Sequence, residues 1–190
     1  MFTVNYDESP LLVIWEVTRA CQLACKHCRA DAINVRHPKE LTLEEGKHLL
    51  DEIVEMGTPL VVFSGGDPLQ RTDLEDLIRY AKSRGLRVGT IPAATDHLTR
   101  ERVLSLKEAG LDQMALSLDG ITAEKHDDFR QVPGSFAKVM QGAAWAHEAG
   151  IPLQINTVLA AWNADDFDEM AQMVQDLGVV FWETLCGRYL

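Results

Sequence analysis

The sequence lacks any long apolar run. Apolar residues make up 46% of its 190 residues, but no stretch approaches the ~20 consecutive apolar residues that a membrane-spanning helix needs. The N-terminal residues also lack the basic segment and the apolar stretch of a secretory signal peptide. We therefore expect a cytoplasmic protein with no membrane partner.

Positive charge is scarce as well. Eighteen Lys and Arg residues stand against 29 Asp and Glu residues, which gives a formal net charge of −11. Nucleic-acid binding places cations against phosphates, so this balance disfavours a nucleic-acid partner. It fits a soluble protein that handles a small molecule or a peptide, and it does not choose between the two.

Cysteine is infrequent, but its distribution is informative. The chain has four cysteines, and three of them fall within residues 21–28. Disulfide frameworks of secreted proteins spread an even number of cysteines along the chain. Three clustered thiols in a cytosolic chain indicate a metal site instead, and the isolated Cys186 is expected to be a free thiol.

Short apolar runs alternate with amphipathic segments along the chain. The runs predict strands at residues 11–17, 60–63, 86–91, 113–118, 153–159 and 179–182. The intervening segments repeat apolar residues at helical spacing, and each ends near a glycine, as helices commonly do. Thr42 with Glu45, and Thr72 with Glu75, have the spacing of capping boxes at helix starts.

This alternation predicts an α/β fold with a parallel sheet and right-handed crossovers. Periodicity alone leaves two forms open, an open doubly wound sheet and a curved partial barrel. In both forms ligands bind at the carboxyl ends of the strands. The residues that directly follow each strand are therefore the candidates for chemistry.

The segment after the first predicted strand carries the pattern Cys21-x3-Cys25-x2-Cys28. Three thiolates can hold three irons of a 4Fe–4S cluster, whose usual complement is four cysteines. A missing fourth protein ligand leaves one iron open, and an open position distinguishes a catalytic metal site from a structural one. The alternatives are a zinc site completed by His27 or His37, or three unrelated thiols.

Glycines and polar residues follow two further strands. Gly65 and Gly66 let a backbone approach a ligand closely, and Asp67 adds an acceptor; the alternative is a tight strand-to-helix turn. Ser117 and Asp119 follow the fourth strand, where they could hydrogen-bond a ribose or an amino-acid group. The alternative there is a polar strand end that forms a turn.

Arg130 and Asn156 complete the set of candidates. An arginine can grip a carboxylate through two parallel hydrogen bonds. The alternative for Arg130 is a solvated side chain paired with Asp127 or Asp128. Asn156 and Thr157 interrupt the apolar fifth strand, and one of them is expected to point inward, to a ligand or to a backbone partner.

These motifs resemble those of the radical S-adenosylmethionine (radical SAM) superfamily, and they occur in the family's order. The resemblance rests on the three cysteines, on Ser64-Gly-Gly-Asp-Pro68, and on Leu116-Ser-Leu-Asp-Gly120 followed by His126-Asp-Asp-Phe-Arg130. The branch that they resemble often carries a C-terminal SPASM domain and includes heme-maturation and peptide-modifying enzymes. The resemblance implies an open, partial (β/α)6 TIM-like barrel that lacks its last helix. It also implies a radical SAM core domain over residues 1–183 and an atypical tail over residues 184–190, without a SPASM-type extension.

The resemblance also implies a role for each candidate residue. Cys21, Cys25 and Cys28 are expected to bind the 4Fe–4S cluster, whose open iron takes the amino and carboxylate groups of S-adenosylmethionine (SAM). The expected SAM contacts are His27 near the adenine, Gly65, Gly66 and Asp67 near the methionine amino group, Ser117 and Asn156 near the ribose or methionyl part, and Arg130 near the carboxylate. Asp67 stands where the family more commonly has glutamate.

The implied activity is reductive cleavage of SAM to a 5′-deoxyadenosyl radical, which abstracts hydrogen from a tetrapyrrole or peptide substrate. Flavodoxin or ferredoxin is the expected reductant, and no catalytic residue beyond the cofactor ligands is expected. The resemblance also predicts a helix after the sixth strand and a cysteine-rich extension, and we expect neither in this sequence. We therefore expect a chain truncated after the sixth strand, and the alternative function is a catalytically inactive, cluster-binding fragment.

Overall fold

A computed structural model describes residues 5–28 and 30–186. In chain order the elements are β1 (Leu12–Glu16), α1 (Leu43–Glu55), β2 (Leu60–Ser64), α2 (Leu74–Ser83), β3 (Arg87–Thr90), α3 (Arg100–Glu108), β4 (Gln113–Ser117), α4 (Ala123–Arg130), α5 (Ser135–Glu148), β5 (Leu153–Leu159), α6 (Phe167–Asp176) and β6 (Phe181–Cys186). Short 3-10 helices cover Pro68–Gln70 and Ala164–Asp166. None of the helices in these residues is both long enough and apolar enough to cross a bilayer.

The six strands form one parallel sheet in which each strand lies beside its neighbours in sequence. The order is β1-β2-β3-β4-β5-β6, and β1 and β6 are the two edges. A doubly wound sheet reverses its strand order at a switch point, and this sheet does not. The predicted open, partial (β/α)6 barrel is therefore confirmed, and the doubly wound alternative is wrong.

The two faces of the sheet differ in character. Side chains such as Phe63, Met114 and Ile155 are fully buried and form one core with the apolar faces of the helices. Residues of the opposite parity, among them Gln113 and Asn156, line cavities on the concave face. The helices therefore cover one face, and the concave face is left for the functional site.

The sixth strand differs from its prediction. It begins at Phe181 rather than at residue 179, and it pairs with β5 as far as Cys186. Residues 184–186 of the predicted tail therefore belong to this strand, and residues 187–190 lie outside the described residues. The strand lies at an edge where Phe181 and Leu185 are exposed, so its sequence lacks the continuous apolar run of a buried parallel strand.

One of the two predicted capping boxes is present at the start of a helix. The capping box of Thr42 and Glu45 is confirmed at the start of α1. The predicted box at Thr72 is wrong, because Asp73 is the N-cap of α2. Asp73 makes no side-chain capping bond; its two oxygens accept from Arg71 Nε at 2.9 Å and from Arg71 Nη2 at 2.7 Å.

Candidate functional site

The three clustered cysteines lie on the loop between β1 and α1, at the carboxyl end of the sheet. A parallel bridge between Ala20 and Ile33 closes the base of this cysteine loop, and Cys21 N donates to Ile33 O over 2.9 Å. Cys28 N donates to Cys25 O over 3.1 Å, so the last two cysteines share a tight turn. Backbone hydrogen bonds within the loop therefore stabilise its conformation.

Glu40 ties the two ends of the cysteine loop together. Its carboxylate accepts hydrogen bonds from Thr18 Oγ1 at 2.7 Å and Arg19 N at 3.1 Å, at the start of the loop. Near the end of the loop, Arg36 Nε donates to it at 2.8 Å and His37 N at 3.1 Å. Partial burial opposes ionisation, but these hydrogen bonds prevail and lower the pKa of the Glu40 carboxyl to about 2. An ionised carboxylate at neutral pH thus fixes the segment that leads into the first cysteine.

Gly65 and Gly66 bring the end of β2 against the same segment. Gly66 N donates to Thr18 O over 2.8 Å, and Asp67 N donates to Ala20 O over 2.7 Å. A Cβ atom on Gly65 would stand 2.3 Å from Thr18 O, and one on Gly66 would stand 2.5 Å from Ala20 O. Because both approaches are closer than any side chain allows, the glycine pair permits the cysteine loop to dock on the sheet.

All three clustered thiols line one cavity of about 370 Å³ on the concave face. Its volume lies in the range of about 300–1,000 Å³ that small-molecule sites occupy. The other candidates that line it are His27, Gly65, Gly66, Arg130 and Asn156. Residues from the cysteine loop, from β2, from α4 and from β5 therefore meet at one place.

The donor set of the cavity is that of an iron–sulfur cluster. Such clusters are held by cysteine thiolates, and each thiolate binds a different iron. Three free cysteines line the cavity, and no fourth cysteine is among the described residues that line it. The residues present therefore fit a 4Fe–4S cluster with one iron left open.

Burial controls the protonation of the first thiol. Desolvation, with smaller contributions from the charges of Asp67, Cys25 and Cys28, raises the pKa of the Cys21 thiol to about 11 despite a hydrogen bond from Leu23 N. A thiol must lose its proton to bind metal, and the bound cation offsets the cost of the buried charge. The apo protein therefore holds Cys21 as a neutral thiol at pH 7.

His27 lies in an aromatic stack beside the cavity. Its ring lies 4.4 Å from that of Phe129, with 4° between the planes, and Phe129 lies 4.7 Å from Trp162. Burial and the positive charge of Arg130 lower the pKa of His27, so the ring is neutral at pH 7. In the described part of the chain, His27 Nδ1 and Trp162 Nε1 are buried atoms without a hydrogen-bond partner. His37, the other proposed zinc ligand, is not among the residues that line this cavity.

Arg130 occupies a buried ion pair. Its Nε and Nη2 atoms donate to Asp119 Oδ2 at 2.8 and 2.5 Å, and its Nη1 atom donates to Cys25 Sγ at 3.6 Å. The Arg130 side chain is 11% exposed and that of Asp119 is fully buried. The predicted alternative, a solvated arginine paired with Asp127 or Asp128, is therefore wrong.

The remaining candidates differ in where their side chains point. Asn156 lines the cavity, whereas Ser117, its register partner on β4, is not among the lining residues. The buried Asp67 carboxylate accepts hydrogen bonds from Thr95 Oγ1 at 2.5 Å, Leu69 N at 3.1 Å and Ala93 N at 3.3 Å. Burial nonetheless raises the pKa of Asp67. Asp67 therefore braces the turn after β2 and turns its carboxylate toward Thr95.

Sequence reasoning missed Glu40 and Glu183. Glu183 lines the cavity from β6 and accepts a hydrogen bond from Gln154 Nε2 at 3.1 Å. Its inward orientation follows from the period-two alternation of a strand, but only once β6 is placed at Phe181–Cys186. Glu40 carries no local signal, because its partners at the start of the loop lie about twenty residues earlier.

Comparison with known proteins gives a consistent result. The sequence model of the family described as the radical SAM superfamily matches residues 15–174. The AdoMet-dependent heme synthase of Oleidesulfovibrio alaskensis is 43% identical over 178 residues, which are 93% of this chain and 46% of that protein. The PqqA peptide cyclase of Bradyrhizobium diazoefficiens is 36% identical, over 88% of this chain and 44% of that protein.

A solved structure shares the fold. The crystal structure of Streptococcus suis SuiB bound to S-adenosylmethionine superposes with a TM-score of 0.82 at 16% identity, over 96% of this chain and 42% of that one. The chain therefore spans a little under half the length of the curated relatives and of this structural neighbour.

Proposed function

The chain belongs to the radical SAM superfamily, and we propose that it binds a 4Fe–4S cluster through Cys21, Cys25 and Cys28 and uses it to cleave SAM reductively. One observation carries the proposal: the three free thiols line a single cavity at the carboxyl end of a parallel half-barrel. Three thiolates are one fewer than the four irons, so the protein leaves one iron for an outside ligand.

A cluster held by Cys21, Cys25 and Cys28 would supply, once reduced, the electron for reductive cleavage of SAM, and SAM would supply the group that abstracts hydrogen from the substrate. The chain's own residues bind, orient and shield. Apolar side chains of Ile14, Leu23 and Leu185 line the same cavity as the thiols and offer apolar surface to a bound cofactor. We assign no general base, because neither bond cleavage nor hydrogen abstraction requires proton removal by the protein.

We assign the SAM contacts according to which side chains face the cavity. Gly65 and Gly66 present their backbone to the methionine amino group, and Asn156 serves the ribose or methionyl part. His27 lies beside the adenine, and its buried Nδ1 has no hydrogen-bond partner among the described residues. Arg130 has two N–H groups beyond its bonds to Asp119 and Cys25, and these are available to the SAM carboxylate.

Two expected contacts take supporting positions in this proposal. The carboxylate of Asp67 is occupied by Thr95 and two backbone N–H groups, so Asp67 positions the glycine pair. Ser117 ends β4 beside Asn156 and supports the strand from which Asn156 projects.

For the substrate we propose a tetrapyrrole, with reduction by flavodoxin or ferredoxin. Relatives named AdoMet-dependent heme synthase are 38–43% identical to this chain, and one named Fe-coproporphyrin III synthase is 36% identical. Relatives named PqqA peptide cyclase reach 36%, which makes a ribosomally made peptide the second candidate.

Anaerobic reconstitution with iron and sulfide tests the proposal. We expect the wild type to bind about four irons, to give an electron paramagnetic resonance signal that SAM changes, and to form 5′-deoxyadenosine with dithionite. Cys25→Ala is expected to lose the cluster. Cys186→Ala, the matched control on exposed β6, is expected to keep it. A colourless, zinc-loaded wild type contradicts the proposal, and a cluster-loaded protein that forms no 5′-deoxyadenosine supports the inactive, cluster-binding alternative.

A further inference from the structure

The guanidinium of Arg130 links a buried carboxylate to a cysteine sulfur. Two of its nitrogens donate to Asp119 Oδ2, and the third donates to Cys25 Sγ over 3.6 Å. Among the described residues, Arg130 is thus a cationic side chain that donates a hydrogen bond to a cysteine sulfur. A second sulfur, Cys21 Sγ, accepts a hydrogen bond from the backbone at Leu23 N over 3.3 Å.

Hydrogen bonds to Asp119 fix the position of the Arg130 guanidinium. Asp119 Oδ1 accepts from Val158 N at 2.8 Å, which leaves Oδ2 for Arg130, and the carboxylate is fully buried. Asp119 N donates to His126 Nδ1 at 3.2 Å, and Asn163 Nδ2 donates to Asp119 O at 2.9 Å. Asp119 is thus held at four of its atoms, so it directs Arg130 toward the cysteine loop.

A cation at this distance from a cluster sulfur has an electrochemical consequence. Hydrogen bonds to the sulfurs, net charge and solvent exposure set the reduction potential of an iron–sulfur cluster. Reduction adds negative charge, which a nearby cationic donor stabilises, and the low exposure of Arg130 limits screening by water.

We propose that Arg130, directed by Asp119, donates to the Cys25 thiolate and thereby raises the reduction potential of the cluster bound there. This proposal rests on the proposed function, because it requires a cluster on Cys25. It gives Arg130 a second role beside the SAM carboxylate, one that operates before SAM binds. Arg130 is a positioning and tuning residue in this role, and the electron needed for SAM cleavage enters the cluster more readily because of it.

Potentiometric titration of the cluster without SAM tests the proposal, because no SAM carboxylate is then present. In Arg130→Gln we expect the equilibrium constant for cluster reduction to fall roughly tenfold, about 59 mV for one electron. Arg130→Lys keeps the charge but loses the forked geometry, and it is expected to give a smaller fall.

Lys26→Gln is the matched control. It removes one positive charge between Cys25 and Cys28, but Lys26 is 44% exposed and pairs with Asp128 at the surface, so the potential is expected to stay at the wild-type value. If Arg130→Gln does not hold the cluster, the double variant Asp119→Asn with Arg130→Gln removes both buried charges together and is expected to show a smaller fall, because the negative charge of Asp119 is lost as well.

The outcomes separate the two proposals. A wild type that takes up no cluster overturns both. A cluster-loaded wild type whose Arg130→Gln or double variant has the wild-type potential overturns the tuning role alone. A fall of equal size in Lys26→Gln also overturns it, because loss of charge in the loop would then suffice.

Discussion

The Glu40 carboxylate accepts a 2.7 Å hydrogen bond from the Thr18 hydroxyl, 22 residues earlier in the chain. The same hydroxyl accepts from Ala20 N at 3.0 Å, so the contact reaches the backbone beside the first cysteine. A single carboxylate outside the cavity therefore fixes the conformation in which the cysteine loop leaves the sheet.

Replacing Glu40 by alanine is expected to loosen the cysteine loop. The change leaves the buried Thr18 hydroxyl without its acceptor, which costs about 1–3 kcal/mol, and it also removes the acceptor of two backbone N–H groups in exposed residues. We expect a lower urea midpoint and less iron bound after reconstitution. Glu44→Ala is the control, because Glu44 is 79% exposed and pairs only with Lys47 among the recorded ion pairs. Equal iron content in both variants would contradict the role of Glu40.

The glycine pair allows steric clash to be separated from backbone strain. In Gly66→Ala the new Cβ would meet Ala20 O at 2.5 Å, while Gly66 is not among the glycines of positive φ. Gly85→Ala introduces backbone strain without a clash, since φ is +86° there and no atom lies within 4 Å of the new Cβ. We expect Gly85→Ala to lose about 1–2 kcal/mol of stability with normal iron loading, and Gly66→Ala to lose iron loading as well. Iron loading that falls equally in both would show that strain, not docking of the loop, is responsible.

Substitutions at Asp67 and at Asn156 are expected to differ in their effect on the affinity for SAM. The Asp67 side chain is engaged by Thr95, whereas Asn156 lines the cavity. In the cluster-loaded protein we expect Asp67→Asn to keep the wild-type dissociation constant for SAM and Asn156→Ala to weaken binding. Calorimetric titration measures both. Equally weak binding in both variants would contradict this separation.

His126 makes stability depend on pH. Burial and the charge of Arg130 lower the pKa of His126 to about 4. Its Nδ1 accepts from Asp119 N, so the neutral ring with the proton on Nε2 fits the folded state. The unfolded state binds a proton near pH 6.5 and the folded state does not. This contribution to stability is therefore complete above about pH 6.5 and is lost as the pH falls toward 4.

Urea unfolding between pH 7 and pH 4 measures this effect. The wild type is expected to lose stability across that window, and His126→Asn is expected to show a shallower dependence. The Glu40 contribution overlaps with this window only at its acid end, because the stability that it contributes is lost as the pH falls from about 4.5 toward 2. Identical pH profiles in the two proteins would contradict the assignment.

The sequence was sufficient wherever a feature is local. Buried parallel strands give continuous apolar runs, and β5 coincides with its prediction at residues 153–159. The cysteine motif is contiguous, so its place after β1 followed directly. The site contacts are not local: Cys25 and Arg130 are 105 residues apart, and nothing in their spacing indicates that they touch. The hydrogen bond from Thr95 to Asp67 likewise joins residues 28 positions apart, and no sequence pattern indicates it.

The sequential strand order allows the sheet to form while the chain is being synthesised. Each strand pairs with the one synthesised just before it, so the sheet can grow in the direction of translation. Cys21, Cys25, Cys28, Glu40 and the glycine pair all precede β3. The thiols and the backbone that docks them are therefore complete early in synthesis, whereas Asp119 and Arg130 emerge much later. A nascent chain could thus capture iron before the residues proposed to set its electrochemistry have been made.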